Sequence, residues 1–226
     1  DTNDIAFHLL ARRAGNLGLN SRLKATADEP VQLYVNDFDN NGKNEQVLTY
    51  YLQGKEIPFA NKSELEKQMP GLKKKYLYAA DFAKAKLNEL FSPEKLSNAT
   101  RYSASYFSSA VLINQGNLKF DLRALPYGAQ LSPMRCATLV NANGDQLPDI
   151  LIGGNFYENN IEMGRYDADY GTLLLNQGKG QFKTEALNGL SVKGQVRHIA
   201  PVMINKQPAY VLALNNDSTR VLRFKQ

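Results

Sequence analysis

"VNDFDNNGKNEQVLTYYLQG" (residues 35–54) sets an Asp/Asn/Gly-rich stretch of nine residues between two apolar runs. A second stretch, "LVNANGDQLPDILIGGNF" (139–156), has the same plan of strand, polar nine-residue loop and strand. Each is followed later by a shared ending. "AVLINQGNLKFDLRAL" (110–125) matches "TLLLNQGKGQFKTEAL" (172–187), an apolar strand, Asn-Gln-Gly and then a strand with Phe. "VRHIAPVMINKQPAYVLALNN" (196–216) reads as a third copy whose polar loop has shrunk to "NKQP". A unit of roughly 40–60 residues carrying four strands is the signature of a propeller blade. The pattern predicts a mainly β chain made of β-propeller blades, a partial propeller of about three to four blades. Two full units and one reduced unit fall short of the four to eight blades that typically close a ring. An open array leaves apolar blade faces uncovered, which implies self-association or a longer propeller of which this chain is part.

Outside the loops, short runs rich in β-branched and aromatic residues read as strands: "VQLYV" (31–35), "QVLTYYL" (46–52), "RCATLV" (135–140), "DILIGGNF" (149–156), "AYVLALN" (209–215) and "RVLRF" (220–224). "AFHLLAR" near the start is the candidate outer strand of a preceding blade. One segment, 62–97, changes to a helical period and reads as an insertion into a single propeller segment spanning 1–226. Ser63 followed by Glu66 has capping-box spacing, and Pro70 ends or redirects the first helix. Ala79, Phe82, Ala83, Leu87, Leu90 and Phe91 then form one apolar stripe, and Ser92-Pro93 supplies a cap and a first helical residue.

The chain has 226 residues, 43% hydrophobic and 22% charged, as in an ordinary globular protein. No apolar run approaches the roughly 20 residues that span a bilayer, so no transmembrane segment is expected. The start at Asp1, without the basic-then-apolar order of a signal peptide, suits a mature or trimmed product. The net charge of +5 comes from scattered lysines and arginines, so a nucleic-acid partner is not expected. The one dense cluster, Lys73, Lys74 and Lys75, reads as a solvated helix face. A lone Cys136 in an apolar strand excludes an internal disulfide and reads as a buried small hydrophobe.

The loop at 37–45 carries the chemistry. Asp37, Asp39, Asn41 and Glu45 occupy positions 1, 3, 5 and 9, with the Lys43 carbonyl at position 7 and Gly42 permitting a sharp turn. Hard oxygen ligands at alternate positions suit Ca²⁺ and its six to eight oxygens. In the second copy Asn141, Asn143, Asp145 and Asp149 fill the same positions, with the Leu147 carbonyl at 7. Two Asn replace Asp there, and Gln146 stands where the first loop has Gly42, so weaker binding is expected. An EF-hand is excluded, because position 12 is Leu48 or Ile152 rather than a bidentate Glu and the flanks are strands rather than helices. A metal-free Asx/Gly-rich hairpin is the competing reading.

"DFDNNGKNE" followed by an apolar strand, with "LLLNQGKGQF" closing the unit, resembles the FG-GAP/VCBS-repeat β-propellers, to which the integrin α-subunit head is related. "GNLGLNS" (15–21), "QLSPMR" (130–135) and "GGNFYENNIEMGRYDADYG" (153–171) resemble the large proteins of this type in Bacteroidetes. The resemblance implies a calcium-binding propeller that is secreted, periplasmic or displayed at the outer membrane, serving as a binding or scaffold module for a protein or glycan.

An enzyme would need further machinery. His8 and His198 lie in no nucleophile motif, and His198 reads as a structural histidine of an apolar strand. Asp167 and Asp169, flanked by Arg165, Tyr166 and Tyr170, form the one carboxylate pair beside aromatic platforms. This set is the candidate ligand-binding loop, and carbohydrate hydrolysis or lysis through Asp167 and Asp169 is the alternative function. Turn-capping aspartates in a surface loop are the plain structural reading.

Overall fold

The computed structural model describes residues 15–145, 147–186 and 191–224. The "AFHLLAR" segment, His8 and Gln146 lie outside the described residues. The chain is mainly β. Among the described residues, strands pair only in antiparallel sheets, five short α-helices and one 3-10 turn (Tyr127–Gln130) accompany them, and no closed barrel or propeller forms. No described helix is long and apolar enough to cross a membrane. The described residues fall into two compact units, one of Leu23–Phe107 and one made of those before and after that stretch.

In the first unit, β1 (Val31–Asn36), β2 (Glu45–Leu52), β3 (Lys55–Pro58) and β4 (Thr100–Ala104) form a sheet of order β3-β2-β1-β4. The helices α1 (Lys62–Gln68), α2 (Gly71–Lys75), α3 (Ala79–Lys84), α4 (Leu87–Leu90) and α5 (Pro93–Ser97) fall inside the segment read as helical. Their apolar positions Leu65, Met69, Leu72, Leu87, Leu90 and Phe91 bury against Tyr34 and Val47 of the sheet, with Phe82 packed at the margin. The capping box opens two residues earlier than the spacing suggested. Asn61 accepts from the Glu64 amide, and Glu64 accepts from the Asn61 amide. Glu66 instead pairs with Lys62 one turn back, at 2.5 Å. The 79–91 stripe is also broken, because Ala85 and Lys86 turn extended (ψ 138° and 158°) and divide it into α3 and α4. Ser92 caps α5 through the Lys95 amide with Pro93 at its first turn, as read. Lys73, Lys74 and Lys75 occupy the exposed last turn of α2, where they complement the helix dipole.

The second unit stacks three sheets. The hairpin β5 (Ala110–Asn114)–β6 (Phe120–Ala124) comes first. A four-stranded meander follows: β7 (Met134–Val140), β8 (Asp149–Gly154), β9 (Thr172–Asn176) and β10 (Phe182–Ala186). The third sheet is β11 (Val196–Ile204), β12 (Gln207–Leu214) and β13 (Arg220–Leu222). The apolar run of β8 is buried at every position because it has a partner on each face. Ile150 and Ile152, with Leu174, meet Val111 of the hairpin on one side. Leu151, with Val140 and Leu173, meets Val196, Ile199 and Leu212 of the third sheet on the other. The shrunken loop of the third copy is a two-residue turn in which Asn205 and Lys206 both take positive φ (52° and 60°). "GNLGLNS" runs along "QLSPMR": the Met134 amide donates to the Asn16 carbonyl at 3.1 Å, and the Leu19 amide to the Gln130 carbonyl at 2.8 Å.

The repeated endings fold alike. Gln115 N donates to Lys119 O and Gln177 N to Gln181 O, each at 2.8 Å, and the following Gly116 and Gly178 amides donate to Asn114 and Asn176 Oδ1. The first copy nonetheless departs from the repeat. Its ending, β5–β6, is a separate two-stranded sheet instead of the second half of the β1–β2 sheet. The physical reason is the turn at Gln53 (φ 53°) and Gly54 (φ 73°), which folds β3 straight back onto β2. β3 thereby takes the edge that β9 fills on β8. Two further readings are corrected: His198 is exposed, and Cys136 is half-buried. Burial, reinforced by the charge of Asp169, still pushes the Cys136 thiol up to about 12.

Gly153 lets β11 approach β8, since a Cβ there would lie 2.7 Å from Val196 Cγ1. Gly153→Ala should destabilise the protein by about 1–3 kcal/mol, the usual cost of overpacking. Val196→Ala in the same chain should restore part of the loss, as measured by denaturant unfolding.

Candidate metal centre

The loop 37–45 is folded by its own side chains. Asp37 Oδ1 accepts from the Asn41 amide at 3.0 Å and Asp37 Oδ2 from the Gly42 amide at 2.9 Å. Asp39 Oδ1 accepts from Asn41 N at 3.1 Å, and Asn41 Oδ1 from Lys43 N at 2.8 Å. Glu45, only 5% exposed, closes the loop by accepting from the Phe38 amide at 2.8 Å. Asn40 (φ 61°) and Gly42 (φ 82°) make the tight bends. The result gathers the carboxylates of Asp37, Asp39 and Glu45, with one oxygen of each lying within 4.8 Å of the other two. At such separations like charges repel by roughly 1 kcal/mol per pair in water and by several at a protein surface, a repulsion that a cation held among them would relieve. The donors are all hard oxygens, which fits Ca²⁺ or Mg²⁺ and not a thiolate metal.

Helix α5 props this loop, a role the spacing did not reveal. Lys95 Nζ donates to the Asp37 carbonyl and to Asn40 Oδ1, and the Lys95 carbonyl accepts from Asn36 Nδ2 at 2.7 Å. The Phe38 ring packs on Phe91 at 4.6 Å between centroids. Burial acts to raise Asp37, but the Gly42 and Asn41 amides and the Lys95 charge outweigh it and hold the carboxyl below its ordinary range.

Three of these hydrogen bonds recur at the same positions in the second loop. Ala142 N donates to Asp149 Oδ2 at 3.0 Å, Asp145 N to Asn143 Oδ1 at 3.2 Å, and Leu147 N to Asp145 Oδ1 at 2.9 Å. Gly144 (φ 78°) stands where the first loop bends at Asn40. The donor set differs. Asn141 Oδ1 accepts from Gly144 N, Asn143 Nδ2 donates to Asp145, and the fully buried Asp149 gives its other oxygen to the Asn176 amide of β9 at 2.9 Å. Among the described residues, the first loop alone gathers three carboxylates.

The loop 165–170 is divided by the fold. Tyr166 is buried in a bridge to Phe156, and its hydroxyl meets Ser21 at 2.9 Å. Asp169 is buried, with Oδ1 accepting from Gly171 N at 3.1 Å and Thr172 Oγ1 at 2.9 Å. Asn155, 1% exposed at φ 78°, clasps the Asp169 backbone through both its amide atoms. Arg165, Asp167 and Tyr170 are exposed. The five residues thus do not share one surface. No family model matches the chain, and neither curated proteins nor solved structures give a match.

Burial raises the Asp169 carboxyl above its ordinary 3.8, opposed by the Thr172 hydroxyl and the Gly171 and Gly154 amides. The folded state thus favours the protonated form more than the unfolded chain does. The associated stability is present below pH 3.8 and is lost as pH rises through the folded value. Asp169→Asn should therefore gain stability relative to the wild type as pH rises across that window, measured as the difference between their urea-unfolding free energies.

Proposed function

We propose that the chain is a calcium-binding β-propeller segment of the FG-GAP/VCBS type, acting outside the cytoplasm as a binding or scaffold module for a protein or glycan. The observation that carries this reading is the convergence of Asp37, Asp39 and Glu45 in a loop flanked by strands. Two further features support it. The two loops share three internal hydrogen bonds, and successive sheets of the second unit stack face to face as blades do. Asp37, Asp39, Asn41, Glu45 and the Lys43 carbonyl would hold the ion, which would neutralise the loop and lock its ends. The second loop is a weaker site, because one carboxylate is committed to backbone amides on both oxygens. Binding is preferred to hydrolysis because Asp169 is enclosed by its donors, whereas a general acid must reach its substrate.

Calorimetry should show Ca²⁺ binding to the wild type that Asp39→Ala abolishes. An ion bound to the folded state alone adds about 2.7 kcal/mol at a hundredfold excess over Kd. That corresponds to roughly 5–10 °C in melting temperature for a chain of this size. Absence of calcium binding to the wild type would overturn the metal reading.

A further inference from the structure

The register of β7 on β8 slips by one residue between Met134 and Cys136, and that of β11 on β12 slips between Val196 and His198. Arg135 and Arg197 are the extra residues, at the same place in two successive sheets. A bulge redirects the side chain it carries, and here both are directed at one target. The Arg135 guanidinium lies over the Phe156 ring at 5.5 Å and that of Arg197 at 6.0 Å. The next residue, Tyr157, carries the Arg165 guanidinium at 5.2 Å. Three guanidiniums are thereby gathered on neighbouring rings.

The arrangement is held from below. Gln195, 3% exposed, accepts from Tyr157 N at 3.0 Å and from Arg197 at 3.0 Å, and donates to Glu158 at 2.8 Å. Glu158 pairs with Arg197 at 3.1 Å and accepts from Asn215 Nδ2 at 2.9 Å. Arg135 and Arg165 are exposed, and among the described residues neither has a carboxylate within ion-pair distance. Their planar forks are free to take an anion.

We propose that Arg135, Arg165 and Arg197 form the recognition face for an acidic glycan whose sugar rings carry carboxylates. This rests on the reading of the chain as a glycan-binding module and names the class of glycan. The chemistry of the surface selects this ligand over others. The rings of Phe156 and Tyr157 already carry guanidiniums, so they do not offer bare platforms for nucleobases. A phosphate backbone presents acceptors only and would meet Glu158 as a like charge. An acidic sugar presents carboxylates to the arginines and hydroxyl donors to Glu158.

The test compares polygalacturonate, a neutral galactan, a sulfated galactan, duplex DNA and polyglutamate by biolayer interferometry. The wild type should bind polygalacturonate best, more weakly as salt rises. Arg135→Gln/Arg165→Gln should weaken that binding about tenfold or more, since each charge-assisted pair is lost, while melting as the wild type does. Arg135→Lys/Arg165→Lys should recover only part of it, because the fork is gone. Preference for the sulfated galactan, DNA or polyglutamate, or equal binding by the Gln variant, would overturn the assignment. Neutral galactan bound equally by wild type and variant would overturn it and leave the glycan module standing, whereas binding to no glycan would overturn it together with the glycan branch of the proposed function.

Discussion

A carboxylate at the ninth loop position, accepting from the amide of the second, is the contact on which both polar loops turn. Glu45 takes the Phe38 amide and Asp149 takes the Ala142 amide. Each carboxylate is the first residue of its strand and pairs across the ladder with the residue preceding the loop, Asn36 or Val140. The bond therefore sets the register of the two strands and the shape of the loop together. Burying a charge of this kind is costly unless its oxygens are satisfied. Burial is thus possible only where the loop backbone supplies the donors.

The two copies satisfy the remaining oxygen differently. Beside β8 lies β9, whose Asn176 amide reaches Asp149, and the second loop is tied down by backbone alone. Beside β2 lies β3 instead, and among the described residues no strand amide donates to the second oxygen of Glu45, which meets the Asn41 side chain at 3.4 Å, a long contact. The first loop takes its support from outside the sheet, through Lys95 on the Asp37 carbonyl and Phe91 on Phe38. It also keeps three carboxylates close together. A cation suits the loop that lacks the neighbouring strand, which is why the proposed calcium belongs to the first copy more than to the second.

Much of the strand pattern was legible because β1, β2, β7, β8 and β12 are apolar and β-branched, and the Asn-Gln-Gly turns have a distinctive chemistry. The carboxylate triad was legible for the same reason, since alternate spacing within one loop needs no tertiary information. β4 was missed because every residue in it is exposed, which leaves no alternation to read. β3 was missed because "KEIP" has a strand's conformation and a turn's composition. The loop at 165–170 was misleading for a different reason. Adjacent residues can be driven to opposite environments by a distant clasp, here Asn155 on Asp169, and nothing in "GRYDADYG" announces it.

The arginine cluster was invisible to motif reading, because its members come from two strands and a long loop. What the sequence does contain is Arg between Met134 and Cys136 and again between Val196 and His198, at matching places in neighbouring copies. An extra residue costs a strand its regular pairing. Two guanidiniums brought to one ring also repel each other, and Glu158 balances one charge of the three. The negative faces of Phe156 and Tyr157 lower that cost without removing it. A surface that spends both ladder regularity and charge repulsion on holding free forks outward is better suited to meeting an anion than to stabilising its own fold.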